Sequence, residues 1–276
     1  MNVSAWNPLA PFIQLYRHRA LLRQFARRMI EVRHRGSFLG LAWTAITPLL
    51  SLGIYTFVFG FVFNGRFTDR ATETNLDYAL GIFLGLILFN FLGEVLAQSP
   101  SVIVSQPNFV KKVVFPLEIL PAAAVAAAAV TALISLGLAF LGIAVLGDGL
   151  DRHAFLVLLI IPPVVLMALG CAWFLAALGV FIRDIANAMP FFVQVLVYMS
   201  AVFYPLRFLE KAPPLAQKIL FANPLLHAVE GTRRAVLWHQ PVDPSTLLFL
   251  WVTGVVVCIA GYAVFHKLRP AFADVV

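Results

Sequence analysis

Charge is what this chain of 276 residues has least of: only 12% of it is Asp, Glu, Lys or Arg, about half the share found in an ordinary soluble domain. A large soluble domain is thereby excluded. Cysteine is as scarce. Cys171 and Cys258, the two present, each sit inside an apolar run with no CxxC or Cys/His spacing, so they are expected as small packing residues and not as metal ligands. There is no GxxxxGK[ST] phosphate loop, no HExxH, no GxSxG and no pair of carboxylates on a shared helical face. His18, His34, His153, His227, His239 and His266 are scattered through loops and ends, which suits interfacial histidines better than a site. An enzyme, and with it any metal or cofactor held by this chain, is not expected. A proton- or sodium-driven carrier buries acids or histidines near the bilayer middle. Here the apolar runs hold one ionisable residue, Glu94, near the end of its run. Work must come from a downhill gradient or from a separate protein that supplies energy.

What the chain has in quantity is apolar length: 61% of its residues are hydrophobic and the mean hydropathy is +0.91. Runs long enough to cross about 30 Å of hydrocarbon lie at Leu41 to Phe63, Tyr78 to Leu96, Leu120 to Leu146, Leu156 to Ile182, Met189 to Leu206 and Leu247 to Phe265. The pattern predicts an all-α integral membrane protein of six transmembrane helices, one domain over 1–276 with its spans at 41–265. The first long apolar run follows a dense arginine cluster, so no cleavable signal is expected and the N-terminus is retained. Putting both termini, the loops at 97–119 and 183–188 and the near-interface Glu94 on one side places the whole formal charge of +7 there. The positive-inside rule makes that side cytoplasmic. Basicity of this kind, drawn from short segments beside spans, reads as contact with membrane lipids and not with nucleic acid.

Within 1–38, Phe12 to Arg35 has two faces. Leu15, Leu21, Leu22, Phe25, Met29 and Val32 fall on one, with Arg17, Arg19, Arg23, Arg27 and Arg28 on the remainder, predicting a helix lying flat in the inner interface. A lipid-anchoring basic face explains it most plainly. A sharper possibility is that Arg33 and Arg35, beside Gly36, hold a pyrophosphate-bearing lipid. The outer segment 207–246 is too long for a structureless loop. Asn223-Pro224 divides it into two predicted short helices, Pro214 to Ala222 and Leu225 to Trp238, either re-entrant in the outer leaflet or forming a surface cap.

The stretch SQPNFVKKVVFPLEILP interrupts the apolar pattern between the second and third runs. Asn108 to Val114 makes two helical turns with Lys111 and Lys112 facing water, and Pro107, Pro116 and Pro121 break the helix on either side. A short stiff rod between two spans can receive a push from a partner; the alternative is an ordinary basic inner loop. Arg183-Asp184, directly after the fourth run, is a second such place. The chain also carries 25 Phe, 6 Tyr and 5 Trp. Rings in the first and fifth runs, among them Tyr55, Tyr198, Phe203 and Tyr204, suit a conduit along which a hydroxyl-rich chain slides, although interfacial belts and lipid-facing bulk account for many single rings. Gly81 and Gly85 form a GxxxG face expected to serve helix packing.

RHRGSFLGLAWTAITP (Arg33 to Pro48), NFVKKVVFPLEILP, FIRDI (Phe181 to Ile185), FYPL (Phe203 to Leu206) and ANPLLHAVEGTRRAVL together resemble, in order along nearly the whole chain, the membrane subunit of ABC-2-type polysaccharide exporters. The likeness is to the bacterial branch that exports O-antigen, capsule and teichoic acid chains. It implies a homodimer in the inner (plasma) membrane with two copies of a cytoplasmic ABC ATPase, which binds ATP and Mg, moving a polyprenyl-pyrophosphate-linked glycan outward, O-antigen above all. It also implies that the inner loops after the second and fourth spans are coupling helices. These fall on Pro107 to Val114 and Arg183 to Ala188, with Asn108, Lys111, Lys112, Arg183 and Asp184 facing the ATPase. The amphipathic helix then corresponds to an interface helix and the two outer helices to re-entrant ones. Capsule or teichoic acid export by the same fold, and an ATP-independent lipid scramblase or scaffold, are the competing functions. A membrane-bound glycan-processing enzyme is disfavoured by the missing acid pair.

Overall fold

The structure is a computed structural model that describes residues 10–33, 36–62, 66–67, 74–111, 115–147 and 149–275. Arg35, Lys112 and the 112–114 part of the expected rod lie outside them. All regular structure among the described residues is helical: α1 (Ala10–Arg17), α2 (Arg19–Arg33), α3 (Trp43–Tyr55), α4 (Asn75–Gln98), α5 (Pro107–Lys111), α6 (Ile119–Leu146), α7 (Val157–Phe181), α8 (Asp184–Met199), α9 (Pro214–Phe221), α10 (Pro224–Val236), α11 (Pro244–Leu268) and α12 (Phe272–Val275). Among them five stretches are long and apolar enough to cross a membrane: Gly40–Phe59, Asn75–Ser101, Ile119–Leu146, Arg152–Phe181 and Pro244–Val275. A lipid-like composition on all sides of a helix removes the need for an amphipathic stripe, which is why these segments show none.

The fifth expected span, Met189 to Leu206, differs. Helix α8 starts at Asp184 and stops at Met199 after 16 residues, about 24 Å of rise and short of the hydrocarbon thickness. Residues 183–188 are therefore its opening turn and not a free loop, and Phe203 and Tyr204 lie beyond its end. The prolines also act differently from expectation. Pro107 opens α5 and Pro121 is the third residue of α6, where a missing N–H leaves no carbonyl unpaired and the fixed φ favours the helix. Elsewhere helix starts follow side-chain chemistry. Thr74 and Asp77 form a reciprocal capping box at α4, with Thr74 N–H donating to Asp77 Oδ2 at 2.9 Å. Asn223 caps α10 by accepting from Leu225 N–H at 3.0 Å.

Helix α4 is the enclosed element, with buried residues on every face, packed by α3, α6, α8 and α10. Its Gly81 and Gly85 face α10. A Cβ on Gly85 would meet Val229 at 3.1 Å and the Arg233 guanidinium at 2.9 Å, so the GxxxG face serves helix packing, as expected. The closest pairing is α7 with α11. A Cβ on Gly261 would collide with the Gly170 carbonyl, and one on Gly254 with that of Pro163, so the two backbones touch. Between apolar helices in lipid such van der Waals contact is a main source of association. Around this assembly α3 and α8 are sparsely covered: Thr44 is the one buried residue of α3, and only Met189 and Val197 are buried in α8.

Helices α1 and α2 form the expected amphipathic element, nearly continuous through His18, whose N–H donates to the Gln14 carbonyl at 3.0 Å. Phe25, on its apolar face, meets Phe109 of α5 edge-on at 5.4 Å and Phe115 at 5.3 Å, and Phe109 and Phe115 lie 4.7 Å apart. The interface helix, the short rod and the lead-in to α6 are thus joined by three rings. The C-terminal segment joins the same end: Arg269 pairs with Glu118 at 3.0 Å and donates to the Phe115 carbonyl at 3.2 Å.

Candidate functional site

The break after Met199 sets the geometry of one end of the molecule. A helix that stops inside an apolar body leaves its last carbonyls without partners, and each must find a donor. Leu196 O accepts from the Ser200 hydroxyl at 2.7 Å, Val197 O from Ser200 N–H at 3.4 Å, Tyr198 O from the Tyr204 hydroxyl and Met199 O from the Asn223 amide at 3.1 Å. Ala201 turns the chain through the left-handed region at φ 49, the conformation that ends many helices. The carbonyls of Ala201 and Val202 then go to Arg233 and that of Phe203 to the Tyr78 hydroxyl, at 3.0 Å.

Arg233 is the centre of this arrangement. Its side chain has no exposure, and its Nε donates to the Gly81 carbonyl of α4 at 2.8 Å. The guanidinium lies over the Phe67 ring at 4.1 Å and 3.8 Å from Glu230, the nearest counter-charge. One residue thus ties α10, α4 and the chain after α8 together. Helix α10 is itself buried against α4 and α7.

This geometry brings some of the expected conduit residues together and leaves others apart. Tyr55, Phe59 and Phe203 cluster, with Phe59 stacked on Phe203 at 5.5 Å and Tyr55 6.2 Å from Phe203. Beyond Tyr55 the helix loosens to a π-helix over Thr56–Val62, a winding that recurs at functional positions. Tyr204 turns its hydroxyl inward and donates it to the Tyr198 carbonyl. Tyr198 points out of α8 at 60% exposure. It continues an exposed line of Asn187, Phe191 and Gln194, spaced to share one helix face.

At the opposite end Arg33 pairs with Glu94, which also accepts from Gln98 at 3.2 Å. Asn108 and Lys111 are exposed on α5, while Arg183 and Asp184 are exposed at the start of α8. Among the described residues none of these four side chains has an ion pair or hydrogen bond.

Sequence reasoning missed Arg233, Glu118, Asn90 and Gln194. Arg233 was hidden by its neighbour, since two adjacent arginines look like one solvated face. The two amides carried a signal, because an uncharged amide inside an apolar run needs a polar neighbour. Asn90 is exposed in the middle of otherwise enclosed α4, and it opens on a cavity of about 260 Å³ between α3, α4 and α6, with Arg33 and Glu94 at one end and Tyr55 at the other.

The family comparison agrees with this arrangement. The chain is 24% identical over 262 residues, 95% of its length and 97% of the relative's, to the O-antigen export system permease protein RfbA of Myxococcus xanthus. It is 22% identical over 259 residues, 92% of its length and 94% of the relative's, to the O-antigen export system permease protein RfbA of Klebsiella pneumoniae. A profile of the ABC-2 type transporter family matches residues 20–237, from the interface helix to the end of the buried α10. The chain is a multi-pass membrane protein that belongs to the ABC-2 type transporter family.

Proposed function

We propose that this chain is the transmembrane subunit of an ATP-driven exporter moving a polyprenyl-pyrophosphate-linked polysaccharide, O-antigen, from the cytoplasm to the periplasm. The observation that carries the proposal is the match, over more than nine-tenths of both chains, to permeases of O-antigen export systems. Two copies of the chain work with two copies of a cytoplasmic ABC ATPase that binds ATP and Mg. The chain is a single transmembrane domain in the inner membrane with both termini cytoplasmic. The short α8 and the helices α9 and α10 make the fifth passage, with α9 and α10 re-entrant from the outer side. Backbone that breaks at membrane depth is tolerated when protein groups satisfy it, and Arg233, Asn223, Tyr204 and Tyr78 do so here.

The sparsely covered faces of α3 and α8 meet those of the second copy and line the passage. Tyr55, Tyr198, Phe203 and Tyr204 are the rings along which the glycan slides. Arg33 with Arg35 takes the pyrophosphate at the cytoplasmic mouth, exchanging Glu94 for the ligand. The ATPase pushes on Asn108, Lys111 and Lys112 and on Arg183 and Asp184.

Deleting this chain from its bacterium and following the lipid-linked glycans tests the proposal. The expected result is loss of surface O-antigen with its lipid-linked precursor accumulating inside, restored by the intact chain. Retention of surface O-antigen with loss of a capsule or teichoic acid chain would reassign the cargo. Flux of lipid-linked glycan through vesicles holding this chain without ATPase or ATP would overturn the ATP-driven reading.

A further inference from the structure

The cavity between α3, α4 and α6 is polar in a place where lipid is the ordinary environment. Thr47, Ser51 and Tyr55 reach it from one face of α3, Asn90 from α4 and Thr131 from α6. Among the described residues none of these five side chains makes a hydrogen bond. Other hydroxyls in the same body are satisfied by their own helices: Thr56 donates to the Leu52 carbonyl at 2.8 Å and Ser135 to that of Thr131 at 2.9 Å. The five open groups are therefore not a property of Ser and Thr in helices generally. They face a common space, and polar groups left bare against hydrocarbon are costly.

Chemistry narrows what fills that space. A lipid tail would leave all five groups unpaired. An anion would find a cation only at the mouth, where Arg33 would have to exchange Glu94 for it; among the described residues no other cation lines the space, so the occupant of the interior is neutral. No group of acids, histidines or cysteines suited to a metal ion occurs among the described residues. Hydroxyls and a carboxamide both donate and accept, which matches a neutral ligand that does the same. Trp43, Tyr55 and Phe83 add flat π faces, whose negative quadrupole attracts the C–H face of a sugar ring. About 260 Å³ is the room of roughly eight or nine waters at about 30 Å³ each, enough for one hexose ring and too little for a chain.

We propose that this cavity binds a single sugar, the one bonded directly to the pyrophosphate of the lipid-linked ligand, through Asn90, Thr131, Ser51 and Thr47. The proposal rests on the reading of Arg33 as the pyrophosphate residue. Arg33 stands at the mouth, so a pyrophosphate held there presents its first sugar to the hydroxyls of α3. The site lies within one copy of the chain and touches the rings assigned to the passage of later sugars only at Tyr55. It makes the chain a reader of the first sugar, not merely of the lipid.

The test uses this chain with its ATPase in nanodiscs and two radiolabelled probes, farnesyl pyrophosphate and farnesyl-pyrophosphoryl glucose. The sugar-bearing probe should bind about tenfold more tightly, as a few net hydrogen bonds allow. Asn90→Leu and Thr131→Val should each reduce that preference about three- to tenfold and together remove it, with affinity for farnesyl pyrophosphate unchanged. Both substitutions make their helices more apolar or keep their shape, and a monodisperse chromatographic peak checks that the complex is intact. Arg33→Gln should weaken both probes alike. Equal binding of the two probes by the unaltered chain, or a preference surviving the double variant, means a cavity that holds only water and overturns the proposal alone. Binding of neither probe overturns the pyrophosphate role of Arg33 and the proposal with it.

Discussion

A guanidinium inside an apolar body is tolerated only when its donors are taken up, and Arg233 gives Nε, Nη1 and Nη2 to three carbonyls from two parts of the chain. Removing the side chain strands those carbonyls and leaves Glu230 without its counter-charge. Arg233→Met is expected to destabilise the chain by about 3–5 kcal/mol, the range for breaking a buried charged network. Arg233→Lys should rescue little of it, because an ammonium cannot span the planar fork. Thermal unfolding in detergent, followed by loss of the monodisperse peak, checks both, and a Lys variant as stable as the original would refute the fork. At this scale the sequence was least informative. Adjacent Arg233 and Arg234 are chemically alike, and only packing decides that the first is enclosed while the second pairs with Asp243 at 3.2 Å. Asn90 and Gln194, both exposed, left more of a signal, since an Asn or Gln within an apolar run is visible by its type alone.

Elements were legible wherever hydropathy alone decides them. Five apolar runs became long helices with ends close to the expected positions, because length and composition suffice to specify a helix in lipid. The fifth run failed because nothing in VYMSAVFYPL lowers hydropathy where Ala201 takes its left-handed turn; only Pro205, four residues on, hints at a stop. Pro107 and Pro121 misled in the other direction, since a proline that ends one helix and one that begins the next look the same in a string of letters. The α7–α11 contact carries a sharp expectation of its own. Gly261→Val should destabilise the chain by about 3 kcal/mol, the upper end for overpacking, since the obstacle is the Gly170 backbone and cannot rotate away. A melting temperature equal to that of the unaltered chain would show the helices free to separate.

For the whole molecule the question is how a push reaches the passage. The rod α5 is anchored to α2 and to the start of α6 through Phe25, Phe109 and Phe115, so displacement of Lys111 is carried into two elements at once. In the proposed exporter a push on Arg183 and Asp184, at the very start of α8, is delivered to that helix directly. Lys111→Glu and Arg183→Glu, each introduced into the chain with its ATPase, are expected to lower ATP-dependent glycan export at least tenfold, while membrane insertion and the amount of chain are unchanged. Export measured in inverted vesicles decides this, and full export by both variants would remove these residues from the ATPase contact. Where backbone lies on backbone, as at Gly170 and Gly261, no change of rotamer alters the spacing. In the proposed exporter helices α7 and α11 therefore stand as a fixed mast, and the outer staves, α3 and α8, are the elements left to swing about it.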